Sequence, residues 1–182
     1  MNNRSLPTWV ESYEDEKGKP VTAIIDSIDK MPKNVIGFIY RIRFVDGTQY
    51  IGKKNIYSIR TVMARKNDKP RDNVIDNIWK NTGKGYRQKY EVLQIESNWK
   101  SYCGSSKECA NRVPVEREIL DYAYNKYQLT YKETEALFFY QVLEDETYLN
   151  DNILGKFFRG DRLFENDPSY EPKGIHSHPY AD

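Results

Sequence analysis

Two tyrosines stand ten residues apart in the stretch GFIYRIRFVDGTQYIG, Tyr40 near its start and Tyr50 near its end, with Gly52 closing it. A phenol with its ordinary pKa of about 10 is a poor base, and it gives up its proton near neutrality only where neighbouring cations favour the anion. Cations are concentrated just downstream. Between Lys53 and Lys100 twelve Lys and Arg stand against five Asp and Glu, a net of +7, in a chain whose total is only +1. A local positive field of this kind suits a polyphosphate partner.

Whether the two phenols can act together depends on hairpin register, because strand side chains alternate between faces. The pattern gives strands over 35–44 and 48–53. A two-residue turn at Asp46-Gly47 pairs Val45 with Thr48 and sends Tyr40 and Tyr50 to opposite faces. A three-residue loop, Val45-Asp46-Gly47 with Gly47 left-handed in a bulge, pairs Phe44 with Thr48. It sets Tyr40 opposite Gly52 and Ile42 opposite Tyr50, all on one face. Asp-Gly serves either turn. A shared site requires the second.

The other elements must fit around this hairpin. A length of 182 residues with 38% hydrophobic content gives one domain with a moderate core. Residues 1–33 read as a polar N-terminal extension with one amphipathic piece, VTAIIDSIDKM. Ile56, Ile59, Val62 and Met63 are spaced for a helix over 55–66. Residues 67–112 read as a basic, loop-rich insertion, with Ser105 or Ser106 capping a short helix. Here Trp79, Tyr86, Tyr90, Trp99 and Tyr102 interleave with Lys and Arg. VEREILDYA (115–123) alternates as a strand beginning after Pro114. Thr130-Tyr131-Lys132-Glu133 has the form of a capping box and predicts a helix over 131–144. Glu133 then serves the cap, and Glu135 is free for another role. NILGKFFRG after Asn150 reads as a last packed element, and residues 165–182 as a disordered tail.

Cys103 and Cys109 lack the further ligands and spacing of a zinc site, and the only histidines, His176 and His178, lie in the tail. No apolar run approaches the roughly 18 residues of a membrane span, and no signal-peptide core follows Met1. These features point to a soluble, cytoplasmic protein with reduced cysteines.

The hairpin resembles the signature of the GIY-YIG nuclease family: Gly37-Phe38-Ile39-Tyr40, with Phe38 inserted relative to a strict GIY, then Tyr50-Ile51-Gly52. The resemblance extends over about 35–155 and implies a nuclease domain spanning 34–164. The implied fold is α+β, a small antiparallel three-stranded sheet flanked by helices, with residues 67–112 inserted. It implies that Arg60, eight residues after Gly52, is the catalytic arginine on the next helix. Glu135 is implied as the metal-binding glutamate, and Asn150 as the asparagine that closes the module. The nearest members are small phage-type proteins related to homing endonucleases, which would act in the host cytoplasm. In many members a His or Tyr follows one helical turn after the arginine; here that position is Ala64, so the assisting proton-transfer role is either absent or filled from elsewhere, for example by Tyr57 or Tyr102. No C-terminal DNA-reading domain is recognisable.

The residues suit that chemistry. Arg60, permanently charged with five donors, matches charge developing on phosphoryl oxygens. One carboxylate, Glu135, can hold a hydrated Mg²⁺ or Mn²⁺ against substrate oxygens. Asn150 positions a loop or hydroxyl. Lys53, Lys54, Lys84, Arg87, Lys89 and Lys100 supply DNA affinity, and Ser105 and Ser106, beside a short helix start, approach phosphate. The sequence reading is therefore a metal-dependent DNA endonuclease. Its rivals are a non-catalytic nucleic-acid-binding accessory protein that retains the fold, and a small structural protein.

Overall fold

The computed structural model describes residues 6–158. The tail expected at 165–182, with His176 and His178, lies outside the described residues. Strands β1 (Trp9–Glu14) and β2 (Pro20–Ile25) form a hairpin around Asp15, whose carboxylate accepts the backbone N–H groups of Lys17 and Lys19 at 2.9 Å each. These residues, read as an extension, join the main sheet. Trp9 and Ile25 oppose each other in register and are 1% and 2% exposed, so the hairpin is anchored by core apolar area rather than by local propensity.

The central hairpin, β3 (Gly37–Phe44) and β4 (Gln49–Asn55), adopts the three-residue register. The Phe44 N–H donates to the Thr48 carbonyl at 2.9 Å, the Gly47 N–H donates to the Phe44 carbonyl at 3.0 Å, and Gly47 has φ +83°. Tyr40 opposes Gly52 and Ile42 opposes Tyr50, as a common face requires.

The next segment departs from expectation. Residues 57–63 form a strand, β5 (Tyr57–Met63), and not the predicted helix. Ile59, Thr61 and Val62 are β-branched and stiff at χ1, which favours a pleated surface once a partner strand is present. The partner is β7 (Arg87–Glu96), which also pairs β6 (Val74–Asn81). Much of the expected loop-rich insertion is thus a three-stranded antiparallel arm, ordered β5-β7-β6. It is followed by a short helix, α1 (Lys107–Ala110), capped by Ser106.

Strand β8 (Pro114–Ala123) matches the predicted strand and fills the middle of the main sheet. A register shift between Ile39 and Tyr40, where β3 pairs β8, lets Ile119 and Tyr122 share one core. Helix α2 (Lys126–Phe139) begins five residues before the predicted start. Asn125, not Thr130, caps it: the Asn125 side chain accepts the Gln128 N–H at 2.8 Å, and the Gln128 side chain accepts the Tyr124 N–H at 2.8 Å. Thr130 lies inside the helix with its hydroxyl on the Lys126 carbonyl. Two short strands, β9 (Asn152–Ile153) and β10 (Phe157–Phe158), pair last.

The fold is therefore mixed α+β and dominated by strands. Its main sheet has five strands, ordered β2-β1-β8-β3-β4, rather than three, and β1 runs parallel to β8. The expected flanking by helices reduces, among the described residues, to α2 against one face and the single turn of α1. One core holds Trp9, Phe38, Tyr40, Ile42, Trp99 and Tyr122. The other holds Ile39, Ile51, Leu129, Leu137 and Val142. No helix among the described residues is long and apolar enough to cross a membrane.

Gly37 shows how tightly α2 is seated. A Cβ there would stand 2.6 Å from the Lys54 carbonyl oxygen and 2.9 Å from Leu129 Cδ2. The backbone contact cannot yield cheaply. We expect Gly37→Ala to cost about 2–3 kcal/mol and lower Tm by roughly 5–10 °C in thermal denaturation. An unchanged Tm would mean that this seam is loose.

Candidate active site

Tyr40, Tyr50 and Gly52 project from the same face of the β3–β4 hairpin, but the two phenols have different surroundings. Tyr40 is fully buried, in edge contact with Trp9 and Tyr102, and its ring centroid is 6.3 Å from that of Tyr50. Its hydroxyl donates to the Tyr102 hydroxyl at 3.5 Å. Tyr50 is half-buried, and its hydroxyl meets Ser105 Oγ at 3.3 Å. The glycine between them in space is required. A Cβ on Gly52 would lie 2.6 Å from the Tyr40 hydroxyl oxygen and 3.1 Å from Tyr50 Cε1.

The cations expected to ease tyrosine ionisation do not do so in the free protein. Burial, followed by the neighbouring Tyr102 and Tyr50, pushes the Tyr40 phenol well above its ordinary value. Burial also raises Tyr50; the Ser105 hydrogen bond pulls it back, and Glu133 is among the charges that push it up. Neither phenol is a ready base.

Tyr102, named from the sequence as a substitute, stands at the centre. Its oxygen accepts from Tyr40, and the Lys54 ammonium lies 3.9 Å from its ring centroid. Burial lowers the Lys54 pKa, and its Nζ donates to Asn98 Oδ1 at 2.7 Å. The loop carrying Tyr102 is held from beneath by a residue that sequence reasoning missed. Arg117 is 3% exposed and donates to the carbonyls of Pro7, Lys100 and Tyr102 at 2.6, 2.9 and 3.1 Å, with Trp9 under its guanidinium at 4.7 Å. An arginine in a strand's inward register, between apolar residues, was the available signal.

Beside these phenols an open cleft of about 910 Å³ separates the edge of the main sheet from the base of the arm. It is lined by Lys53, Lys54, Arg60, Asn98, Tyr102 and Lys126, among others. Arg60 is exposed there, on β5 and not on a helix. Ala64, at the arm's end of that strand, bears no helical relation to it. Tyr57 also lines the cleft.

The two glutamates of α2 are placed differently from what a cap at Thr130 predicts. Leu129, Glu133 and Leu137 recur at four-residue intervals, and the two leucines are buried against the sheet. Glu133 points the same way and pairs with Lys53 at 2.9 Å, with 21% of its side chain exposed. It carries no capping duty. Glu135, two positions on and about 200° around the helix, is exposed on the far side. The cap itself was misplaced; Asn125-x-x-Gln128 was the better signature.

Asn150 is 6% exposed, and its side chain accepts the Ile51 N–H at 3.1 Å and donates to the Ile51 carbonyl at 2.8 Å. It thereby fixes the residue between Tyr50 and Gly52. Ser105 joins Tyr50, while the Ser106 oxygen is engaged by the Glu108 N–H at 3.2 Å. Lys100 pairs with Glu96 at 3.5 Å. Lys84, Arg87 and Lys89 lie out on the arm, away from the phenols.

Among the described residues no three His, Cys, Asp or Glu side chains form a cluster able to hold a metal. Glu96 lines the cleft but is engaged by Trp99 Nε1 and Lys100; Glu133, paired with Lys53, is the carboxylate whose charge reaches Tyr50.

A glycine-seated tyrosine pair on a hairpin, with a basic cleft and one carboxylate beside it, defines a small α+β domain of nuclease type. A family model described as "Putative endonuclease segE, GIY-YIG domain" matches residues 21–153, and the chain belongs to this GIY-YIG endonuclease-domain family. No curated protein and no solved structure matches it.

Two outcomes follow. Because the Cβ of Gly52→Ala meets the Tyr40 oxygen, the substitution should cost about 1–3 kcal/mol in the native chain and measurably less beside Tyr40→Phe. Equal costs in both backgrounds, read from denaturant melts, would remove the claimed contact. Tyr40, Tyr50, Tyr122, Tyr140 and Tyr148 all have raised pKa values, chiefly through burial. The folded state then keeps protons that the unfolded chain loses near its ordinary value of about 10. Stability is full below that pH and should fall as pH climbs through it, which Tm measured from neutral to strongly alkaline pH will test.

Proposed function

We propose that this protein hydrolyses phosphodiester bonds in DNA, working with a divalent ion, Mg²⁺ or Mn²⁺. The single observation that carries the reading is convergence: Lys53, Lys54, Arg60 and Tyr102 line one cleft, with Glu133 on Lys53 and Tyr40 on Tyr102 directly behind it. A cage of ligands is not needed for this ion. Mg²⁺ keeps most of its water and is commonly held by one or two carboxylates plus substrate phosphates. Glu133 fits that role, reaching from α2 to Lys53 at the cleft's wall; the sequence had suggested Glu135. When bound, the ion would compensate charge on the phosphate in the transition state.

The remaining work falls to the chain's own residues. Arg60 and Lys54 receive the phosphate at the cleft's two walls, Arg60 through its planar fork of donors. Tyr102 handles the proton. Its oxygen already accepts from Tyr40, and Lys54 over its ring offsets negative charge there. Tyr50, tethered to Ser105, aligns the substrate strand, and Asn150 holds the backbone that carries Tyr50. Tyr40 acts through Tyr102 as a buried donor.

The test is purified protein with supercoiled plasmid, with and without Mg²⁺. Cutting should need the ion; binding without cutting under either condition would favour a non-catalytic accessory role. Glu133→Gln should reduce cleavage by roughly a thousandfold, because metal stabilisation amounts to several kcal/mol and each 1.4 kcal/mol is tenfold. Glu135→Gln should stay within about threefold of the native rate, as surface substitutions normally do. Tyr102→Phe should lose about a hundredfold or more. If Glu135→Gln is the dead variant, the assignment of the metal to Glu133 is wrong.

A further inference from the structure

The arm has a face that the catalytic cleft does not account for. In the ladder of β5, β7 and β6, Arg60 opposes Leu93, Trp79 opposes Lys89, and Asn81 opposes Arg87. Residues 87, 89, 91 and 93 of β7 share one face by alternation, so Arg60, Lys89, Trp79 and Arg87 lie on that face in sequence from base to tip. From Leu93 to Arg87 the row runs about 20 Å, at about 3.4 Å per residue. In B-DNA that is the rise of about six nucleotides of one strand.

Charge on this face has one sign. Its one carboxylate, Glu91, is held by Arg71. Arg60, Arg87 and Lys89 make no ion pair among the described residues, and Lys84 stands exposed in the turn at the tip. The face also carries an exposed ring. Trp79 is 55% exposed, whereas Trp9 and Trp99 are 1% and 0% exposed. The Arg87 guanidinium lies 6.0 Å from its ring centroid. An open tryptophan flanked by unpaired cations is the combination that stacks on a base while its neighbours neutralise phosphates.

We infer that this face of the arm is a second binding surface, which tracks the DNA strand leading away from the cleft and stacks Trp79 on one of its bases. The inference rests on the nuclease reading above and specifies where the substrate lies beyond the cut. It separates two jobs: Arg60 at the base meets the phosphate in the cleft, and the tip holds the flanking strand.

The experiment uses the full chain without divalent ion, so that binding is measured without cutting. The probes are a short DNA duplex and a single strand of the same length. Intrinsic tryptophan emission should be quenched on binding, and Trp79→Phe should abolish the quench, because the other two tryptophans are buried. Trp79→Ala should weaken binding about tenfold. The combined variant Lys84→Gln, Arg87→Gln, Lys89→Gln should flatten log K against log salt by roughly 2–3, at about 0.7–0.9 per phosphate contact. Circular dichroism should show each variant folded. Native protein that cuts plasmid, alongside arm variants with unchanged slope and a quench that survives Trp79→Phe, overturns the arm surface and leaves the nuclease reading intact. Native protein that neither binds nor cuts overturns both.

Discussion

The site depends on one buried amide. Asn150 holds both the N–H and the carbonyl of Ile51, as a neighbouring strand would. It sits at the end of a segment that runs along β4: the Gln49 N–H donates to the Thr147 carbonyl, and the Leu149 N–H to the Gln49 carbonyl, both at 2.8 Å. β4 is the edge of the sheet, and an edge left open is free to slip or to pair with another chain. A one-residue slip would turn Tyr50 and Gly52 to the wrong face. Each hydrogen bond contributes only about 1 kcal/mol net, but stranding the Ile51 groups in the core would cost more. The asparagine acts on register before it acts on chemistry.

A second polar group supports the other half. Arg117 lies within an aromatic core, where a charge is expensive unless its donors are filled. Nε and Nη1 donate to three carbonyls, and the guanidinium face lies over the Trp9 ring. Two of those carbonyls belong to the segment that delivers Tyr102. The N-terminal residues, through the Pro7 carbonyl and Trp9, are thereby joined to the Tyr102 loop about a hundred positions away in sequence. Burial lowers the Arg117 pKa from its ordinary value, yet arginine remains charged, a property that lysine would not guarantee at such depth.

What could be read from the sequence followed the range of the interactions. The register of β3 and β4 was readable because Asp-Gly turns are local and the chemistry chose between the two permitted pairings. β8 announced itself by alternation. The family signature was legible in Gly37, Tyr40, Tyr50 and Gly52, and the structure gives each glycine a steric cause. β5 was misread because Ile56, Ile59, Val62 and Met63 satisfy a helical spacing, and only its partner β7, some thirty residues on, decides for a strand. β1 was missed for the same reason: Trp9 is a core residue by virtue of Phe38 and Trp99, not of its neighbours in sequence. The glutamates show how a local error propagates. Thr130 resembles a cap, Asn125 is the cap, and that shift of five positions frees Glu133 from capping and leaves it paired with Lys53.

The arm leaves and rejoins the sheet at one point. The Ile56 N–H donates to the Ile36 carbonyl, the Ser97 N–H donates to the Ile56 carbonyl, and the Ser97 hydroxyl closes on the Asn55 carbonyl at 2.6 Å. Entry and exit are thus neighbours across a closed neck. Lengthening a segment whose ends are already pinned together adds closure entropy only logarithmically, about 0.6 kcal/mol per doubling. The neck therefore insulates the main sheet from the length of what hangs beyond Arg60. The arm's tip can thus be lengthened or shortened while Tyr40, Gly52 and Asn150 keep their places.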